Sequence, residues 1–275
     1  MMGHQLTTIR ELAMARVLTA VVAALVAVTL MGCETTYQQA FTQPIAKAHN
    51  GKAWRSQKAF ESEIVVTFGD NTMLDGTMLM TTSMDKVRFD LRDRTVLVYD
   101  GQAAWVSPAA SEQAMARFHL LTWPYFVASP YKLADPGTYL QSREDATLTI
   151  DDKAMLFNTA KLTFAEDVGD TPDDWYVIYR DAKSNRLRAL AYIVTYGNDK
   201  KKAESEPHAV VFDRYRVVDG VPIPTEWAFY NWTVVDGLVG DPIGSVRLVN
   251  PRFVVPRVGL FDKPTDARAD LLPGS

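Results

Sequence analysis

The chain has 275 residues, 47% of them hydrophobic and 11% aromatic, enough for a sizeable core in one large domain. Its formal charge is -4, from 29 Lys+Arg against 33 Asp+Glu, and it carries no basic stripe to neutralise phosphates, so nucleic acid is not an expected partner. The single cysteine, Cys33, excludes an intramolecular disulfide and a structural zinc site, which leaves burial and hydrogen bonding to hold the fold.

Arg10 and Arg16 precede an uncharged run from Val17 to Met31, VLTAVVAALVAVTLM, followed by Gly32 and Cys33. A basic start, an apolar middle and a small residue at the cut are the layout of a secretory signal. The run is shorter than the roughly 20 apolar residues that a bilayer core of about 30 Å requires, so export fits better than a permanent span. Leu30-Met31-Gly32-Cys33 resembles the lipobox of bacterial lipoproteins, with Met31 where a small residue is more usual. The resemblance implies a signal peptide over residues 1–32, and a Cys33 that carries a diacylglycerol and a palmitate-type acylated amino terminus. Such a group anchors a protein to its membrane, since each buried methylene contributes about 0.8 kcal/mol and stable attachment takes about two chains. Glu34, rather than aspartate, follows Cys33. By resemblance to the sorting rule of enteric bacteria, delivery to the outer membrane, facing the periplasm, is permitted.

Residues 33–43 are polar and Thr/Gln-rich and read as a lipidated tether that reaches at most about 35 Å. Pro44 suits the first turn of a short helix, with Ile45, Ala48 and His49 on one face and Asn50-Gly51 as its stop. Strand signals follow. FESEIVVTFG places Ile64, Val66 and Phe68 on one side, and DKVRFDLRD places Val87, Phe89 and Leu91 opposite Lys86, Arg88, Asp90 and Arg92. TVLVYDGQAAWVS predicts a hairpin at Asp100-Gly101, where Asp-Gly tolerates positive φ. Met73, Met78, Met80 and Met84 cluster around one predicted hairpin; flexible thioethers suit both an adaptable binding wall and a gap-filling core.

SEQAMARFHLLTWPYFVAS interrupts the strands. Ser111 is a capping residue, and Ala114, Met115, Phe118, Leu121 and Trp123 recur at helical spacing until Pro124, which predicts one amphipathic helix over 111–123. Further strands are expected at AKLTFAE, DWYVIYRDA, LRALAYIVTYG, HAVVFDRYRVVDG, IPTEWAFYNWTVVDG and GSVRLVNPRFVV. Their short connections favour an antiparallel meander. Asp199-Lys200-Lys201-Lys202 reads as a solvated hairpin connection, and residues 263–275 as a poorly ordered tail.

The sequence lacks a nucleophile elbow, a phosphate loop, a zinc-protease helix and a dinucleotide-binding glycine pattern. His49 reads as a helix-end histidine bonded to a last-turn carbonyl rather than a base or ligand, and His119 is read the same way. Asp151-Asp152 and Asp173-Asp174 read as solvated turns. No catalytic, metal or cofactor residue is assigned, and no enzymatic activity is expected.

Two stretches match at motif level: His49, Gly51 and Trp54 in AHNGKAW, and Asp219, Gly220, Pro222 and Pro224 in FDRYRVVDGVPIPTEW. With the lipobox and the order of elements from about Pro44 to Trp232, they resemble the periplasmic LolA/LolB-like lipoprotein carriers, nearest to the uncharacterised DUF6503-type proteins. The resemblance implies an α+β fold, mainly antiparallel β. It is an unclosed half-barrel over residues 44–262, with a helical lid over a concave side that holds acyl chains. Several strands are apolar on both faces: in LRALAYIVTYG, Leu190, Tyr192 and Val194 lie opposite Ala191 and Ile193, and in TEWAFYNWTV, Trp227 and Phe229 oppose Ala228, Tyr230 and Trp232. The surplus face needs a cover, which a helix or a lipid provides. The expected function is non-catalytic binding of a lipid or other hydrophobic ligand by an envelope lipoprotein. A scaffold or assembly lipoprotein contacting a partner protein is the alternative. The candidate lining residues are Phe68, Met80, Phe89, Leu91, Val98, Phe118, Leu121 and Trp123.

Overall fold

The structure, a computed structural model, describes residues 37–272. The expected signal peptide, Cys33 and the first part of the tether lie outside the described residues. Helix α1 covers 37–48 and α2 covers Gly51–Ser56. A five-strand meander follows: β1 (Ala59–Phe68), β2 (Asn71–Thr81), β3 (Val87–Leu91), β4 (Val96–Tyr99) and β5 (Ala104–Ser107). Helix α3 (Ala116–Lys132) then leads to β6 (Thr138–Ser142), β7 (Ala146–Ile150), β8 (Lys153–Phe164), β9 (Tyr176–Asp181) and β10 (Leu187–Tyr192). The short α4 (Lys200–Ser205) precedes β11 (His208–Val218), β12 (Val221–Thr233), β13 (Gly237–Val254) and β14 (Arg268–Asp270).

The strands form one antiparallel sheet in the order β14-β5-β4-β3-β2-β1-β13-β12-β11-β10-β9-β8-β6, with β7 also pairing β8. Its ends, β14 and β6, do not pair with each other, so the fold is an unclosed α+β half-barrel. Because α3 leaves β5 near one end of the sheet and delivers the chain to β6 at the other, it must cross a sheet face. Ala116, Leu120, Trp123, Phe126 and Val127 of α3 join the main core with Ile64, Met78, Met80, Phe89, Leu190, Phe212, Trp227 and Phe229 from the strands. This shared face is the concave one.

The two-faced apolar strands have a cover on each side. Leu190 and Tyr192 face the main core, whereas Ala189, Ala191, Val211, Tyr179 and Trp232 form a second cluster on the opposite face, closed by Leu148 and Ile150 of β7. Trp232 donates its indole N–H to the Tyr179 hydroxyl at 2.9 Å within that cluster. Protein side chains rather than lipid thus cover the convex surplus.

Four expectations are corrected. The tether does not extend to residue 43, because α1 already runs from 37. Its Gln38 Nε2 donates to Thr138 Oγ1 at 2.8 Å and the Phe41 carbonyl accepts from Arg180 Nη1 at 3.1 Å, which ties this stretch to β6 and β9. Pro44 therefore lies inside the helix.

The α3 helix starts later than expected and passes through both Pro124 and Pro130. Pro130 supplies no N–H to the Phe126 carbonyl, and the Ser129 hydroxyl donates to that oxygen instead, at 2.9 Å. The expected capping Ser111 stands outside the helix, where its hydroxyl accepts from the Gln113 N–H at 3.2 Å.

The charged 199–202 connection is exposed and joins the antiparallel strands β10 and β11, as expected, and it carries the helical turn α4, capped by Asp199, which accepts from Lys202 N at 2.9 Å. The tail is not loose through residue 272. Phe261 packs with Ala59 and Leu79, and β14 pairs with β5. Finally, Asp174 is buried rather than part of a solvated turn.

Candidate functional site

The half-barrel's concave side is not completely filled. A cavity of about 530 Å³ lies between the first part of α3, the far end of β1, the exit of β10 and the 164–174 connection. On the α3 side its wall holds Phe118, Leu121, Trp123, Tyr125 and Phe126. Opposite stand Phe68, Phe164, Tyr176, Tyr192, Val194 and Ile243.

Local structure explains how these side chains meet. Phe68 lies over Gly244 of the neighbouring β13, where an added Cβ would come within 2.6 Å of its ring. The missing side chain lets Phe68 sit 5.0 Å from Phe229 and 6.5 Å from Trp123, ring to ring. Trp123 in turn donates its indole N–H to His119 Nδ1, one helical turn earlier, at 2.9 Å. Burial lowers the His119 pKa from 6.5 to about 4, so the ring stays a neutral acceptor. A row of rings runs from α3 along the far wall: Tyr125 to Tyr176 at 5.5 Å, Tyr176 to Tyr192 at 6.1 Å and Tyr192 to His208 at 6.3 Å. Met73 and Met115, 44% and 43% exposed, stand at the rim, with flexible side chains suited to an adjustable mouth.

Polar groups are few and placed together. Arg117 pairs with Asp170, Nη2 to Oδ1 at 2.8 Å, and both border the cavity. Asp174 accepts from Thr171 Oγ1 at 2.7 Å, Thr195 N at 2.7 Å and Thr195 Oγ1 at 2.8 Å. Burial raises its pKa, and these three donors oppose that shift. The start of α3 is held from outside the helix. Met115, its left-handed N-cap residue, offers no side-chain cap, and Asp270 of β14 accepts from the Arg117 N–H at 2.8 Å.

Of the eight expected lining residues, Phe68, Phe118, Leu121 and Trp123 meet at the cavity. Met80 and Phe89 do not border it. They are fully buried where β2 and β3 pack into the main core. Leu91 packs, half-buried, on the edge of that core. Val98 faces the other way, since its neighbour Leu97 takes the concave position on β4 and the strand period is 2. The methionine cluster divides similarly: Met73 and Met84 border the cavity, and Met78 and Met80 fill core. Tyr125, Tyr176, Tyr192 and Asp174 were not foreseen as lining residues. The alternation in WYVIYRD, which points Tyr176 and Ile178 to one face, was the available signal for Tyr176.

The two motif stretches serve the fold away from the cavity. His49 Nε2 accepts from the Leu187 N–H at 3.1 Å, rather than bonding a last-turn carbonyl. Asn50, at φ 51, donates to the Gly220 carbonyl at 3.0 Å and so joins AHNGKAW to the VVDGVP hairpin. Trp54 stacks on Tyr131 at 4.6 Å and donates to the Thr82 carbonyl at 2.9 Å.

No protein-family model matches the sequence, and no curated protein does. Among solved structures, the chain is similar to the LolA superfamily protein NE2245 from Nitrosomonas europaea, with a TM-score of 0.49 and 10% identity over 80% of this chain and 98% of that one. It is also similar to a DUF1329 family protein from Desulfovibrio piger, with a TM-score of 0.43 and 11% identity over 81% of this chain and 94% of that one.

Proposed function

We propose that this chain is a cell-envelope lipoprotein that holds a lipid or other long apolar ligand in its half-barrel and does not transform it. The observation that carries the reading is the cavity of about 530 Å³ with its largely aromatic and aliphatic wall. That volume falls within the roughly 300–1,000 Å³ of small-molecule sites. Ten methylenes moved from water to such a wall contribute about 8 kcal/mol before ordering costs, which suits reversible holding. Because α3 is itself part of the core, exchange is read as passing through the rim at Met73 and Met115 rather than by displacement of the whole helix.

Among the described residues no helix is long and apolar enough to cross a membrane. In this reading attachment rests on acylation of Cys33, with the domain in the periplasm and the anchor in the outer membrane. Native mass spectrometry of the gently purified protein is the test. A co-purifying adduct of lipid mass, lost on organic extraction, is the expected result. A ligand-free protein that also fails to take up a neutral apolar dye would overturn the proposal. For the anchor, Cys33→Ala is expected to lose labelling by an alkyne fatty acid and to leave the membrane fraction. Unchanged membrane recovery of that variant would refute lipid attachment at this residue.

A further inference from the structure

The polar groups around the cavity narrow the class of ligand, given the hydrophobic-ligand reading above. The charged or titratable imidazole, guanidinium and carboxyl groups bordering it are Arg117, His119, Asp170, Asp174 and His208. Arg117 is engaged by Asp170. Lys200, just outside, is engaged by Asp173 at 3.1 Å. His119 serves Trp123 as a neutral acceptor, and burial also lowers the pKa of His208. Asp174 has no cationic partner among the described residues, and the groups bonded to it all donate, as a carboxylate requires. A guest bearing its own carboxylate thus meets a like charge and finds no unengaged cation.

Tyr125 supplies the complementary observation. It borders the cavity, yet its hydroxyl is buried and makes no hydrogen bond among the described residues. Buried polar groups in folded proteins are nearly always paired, and a small turn of the Tyr125 ring toward the cavity would bring this hydroxyl to a guest atom that accepts a proton. An ester or amide carbonyl, or an alcohol oxygen, does so without adding charge.

We infer that the cavity selects long-chain ligands whose polar end is uncharged, an ester, amide or alcohol bonded by Tyr125, and that Asp174 turns away the anions of free fatty acids.

The test is displacement of bound 1-N-phenylnaphthylamine, a neutral apolar dye, from the purified protein at neutral pH. Methyl myristate, tetradecanol and myristate, matched in chain length, are the competitors. The ester and the alcohol are expected to displace the dye at concentrations roughly tenfold lower than myristate. Asp174→Asn is expected to improve myristate and narrow the gap. Tyr125→Phe is expected to weaken the ester several-fold while leaving binding of the dye itself unchanged. Equal displacement by all three competitors would overturn the selectivity while leaving the apolar site in place. Failure of the dye to bind at all would remove both the selectivity and the site. Should Asp174→Asn not fold, because its amide nitrogen no longer accepts where one carboxylate oxygen did, the unmodified protein and Tyr125→Phe still decide the matter.

Discussion

Asn50 shows how much one side chain carries in this fold. It takes the left-handed conformation that few residues other than glycine adopt, accepts from Ala53 N at 3.4 Å to start α2, and donates to Gly220 across 170 positions of chain. Gly220 itself needs no side chain at φ 80 in a tight hairpin. Two buried imidazoles nearby in role, His49 and His119, make stability depend on pH. Burial is the first cause in each, and both pKa values fall from 6.5 to about 4. Between those values the unfolded chain binds more protons than the folded one. Stability is therefore full above pH 6.5 and declines as pH falls toward 4, by about 2 kcal/mol for each histidine at pH 5. Urea midpoints at pH 7.5 and pH 5 measure the decline, and His119→Gln is expected to remove about half of it.

At the scale of elements, α3 depends on a distant strand. Asp270 of β14 caps the helix that β5 leads into, and Arg268 Nη2 donates to the Ser111 and Gln113 carbonyls at 3.1 and 2.7 Å. Asp270→Ala is expected to lower the unfolding free energy by about 1 kcal/mol, read as a shift in the urea midpoint at unchanged slope. Such dependence explains where the sequence was readable and where it was not. Alternation placed Ile64, Val66, Leu190, Tyr192, Trp227 and Phe229 on the face they occupy, because a strand half-covered by core writes its period into the residues. It could not place the start of α3, whose cap is supplied 153 positions later. Nor could it tell the wall from the core. Phe89 and Phe118 read alike as apolar residues, and only the crossing of α3 decides that one is packed solid and the other borders space. Asp174 read as a turn because two of the donors to its carboxylate, Thr195 N and Oγ1, lie on the far side of two strands.

The whole molecule sets the volume that a guest would use. If the cavity is the binding site, a bulky residue at its wall competes with the ligand while leaving the core alone. Thr122→Trp, at a half-buried wall position, is expected to cut dye uptake several-fold with a thermal midpoint within a few degrees of the unsubstituted protein. Full uptake by a folded Thr122→Trp protein would place the dye elsewhere.

The long central strand β13 has two interruptions in its pairing. Against β12, positions 240–243 stand opposite the single residue Tyr230; against β1, Asn250 and Pro251 stand opposite Ser62 alone. Each interruption contains a proline, Pro242 or Pro251, at a place where the ladder asks for no amide proton. Sliding β13 along either neighbour would bring an imide nitrogen opposite a carbonyl that needs a donor, and a slip of one residue would also turn every inward group outward. The two prolines therefore act as register locks. Among alternative pairings of these strands, they penalise the ones that would unroll the vault.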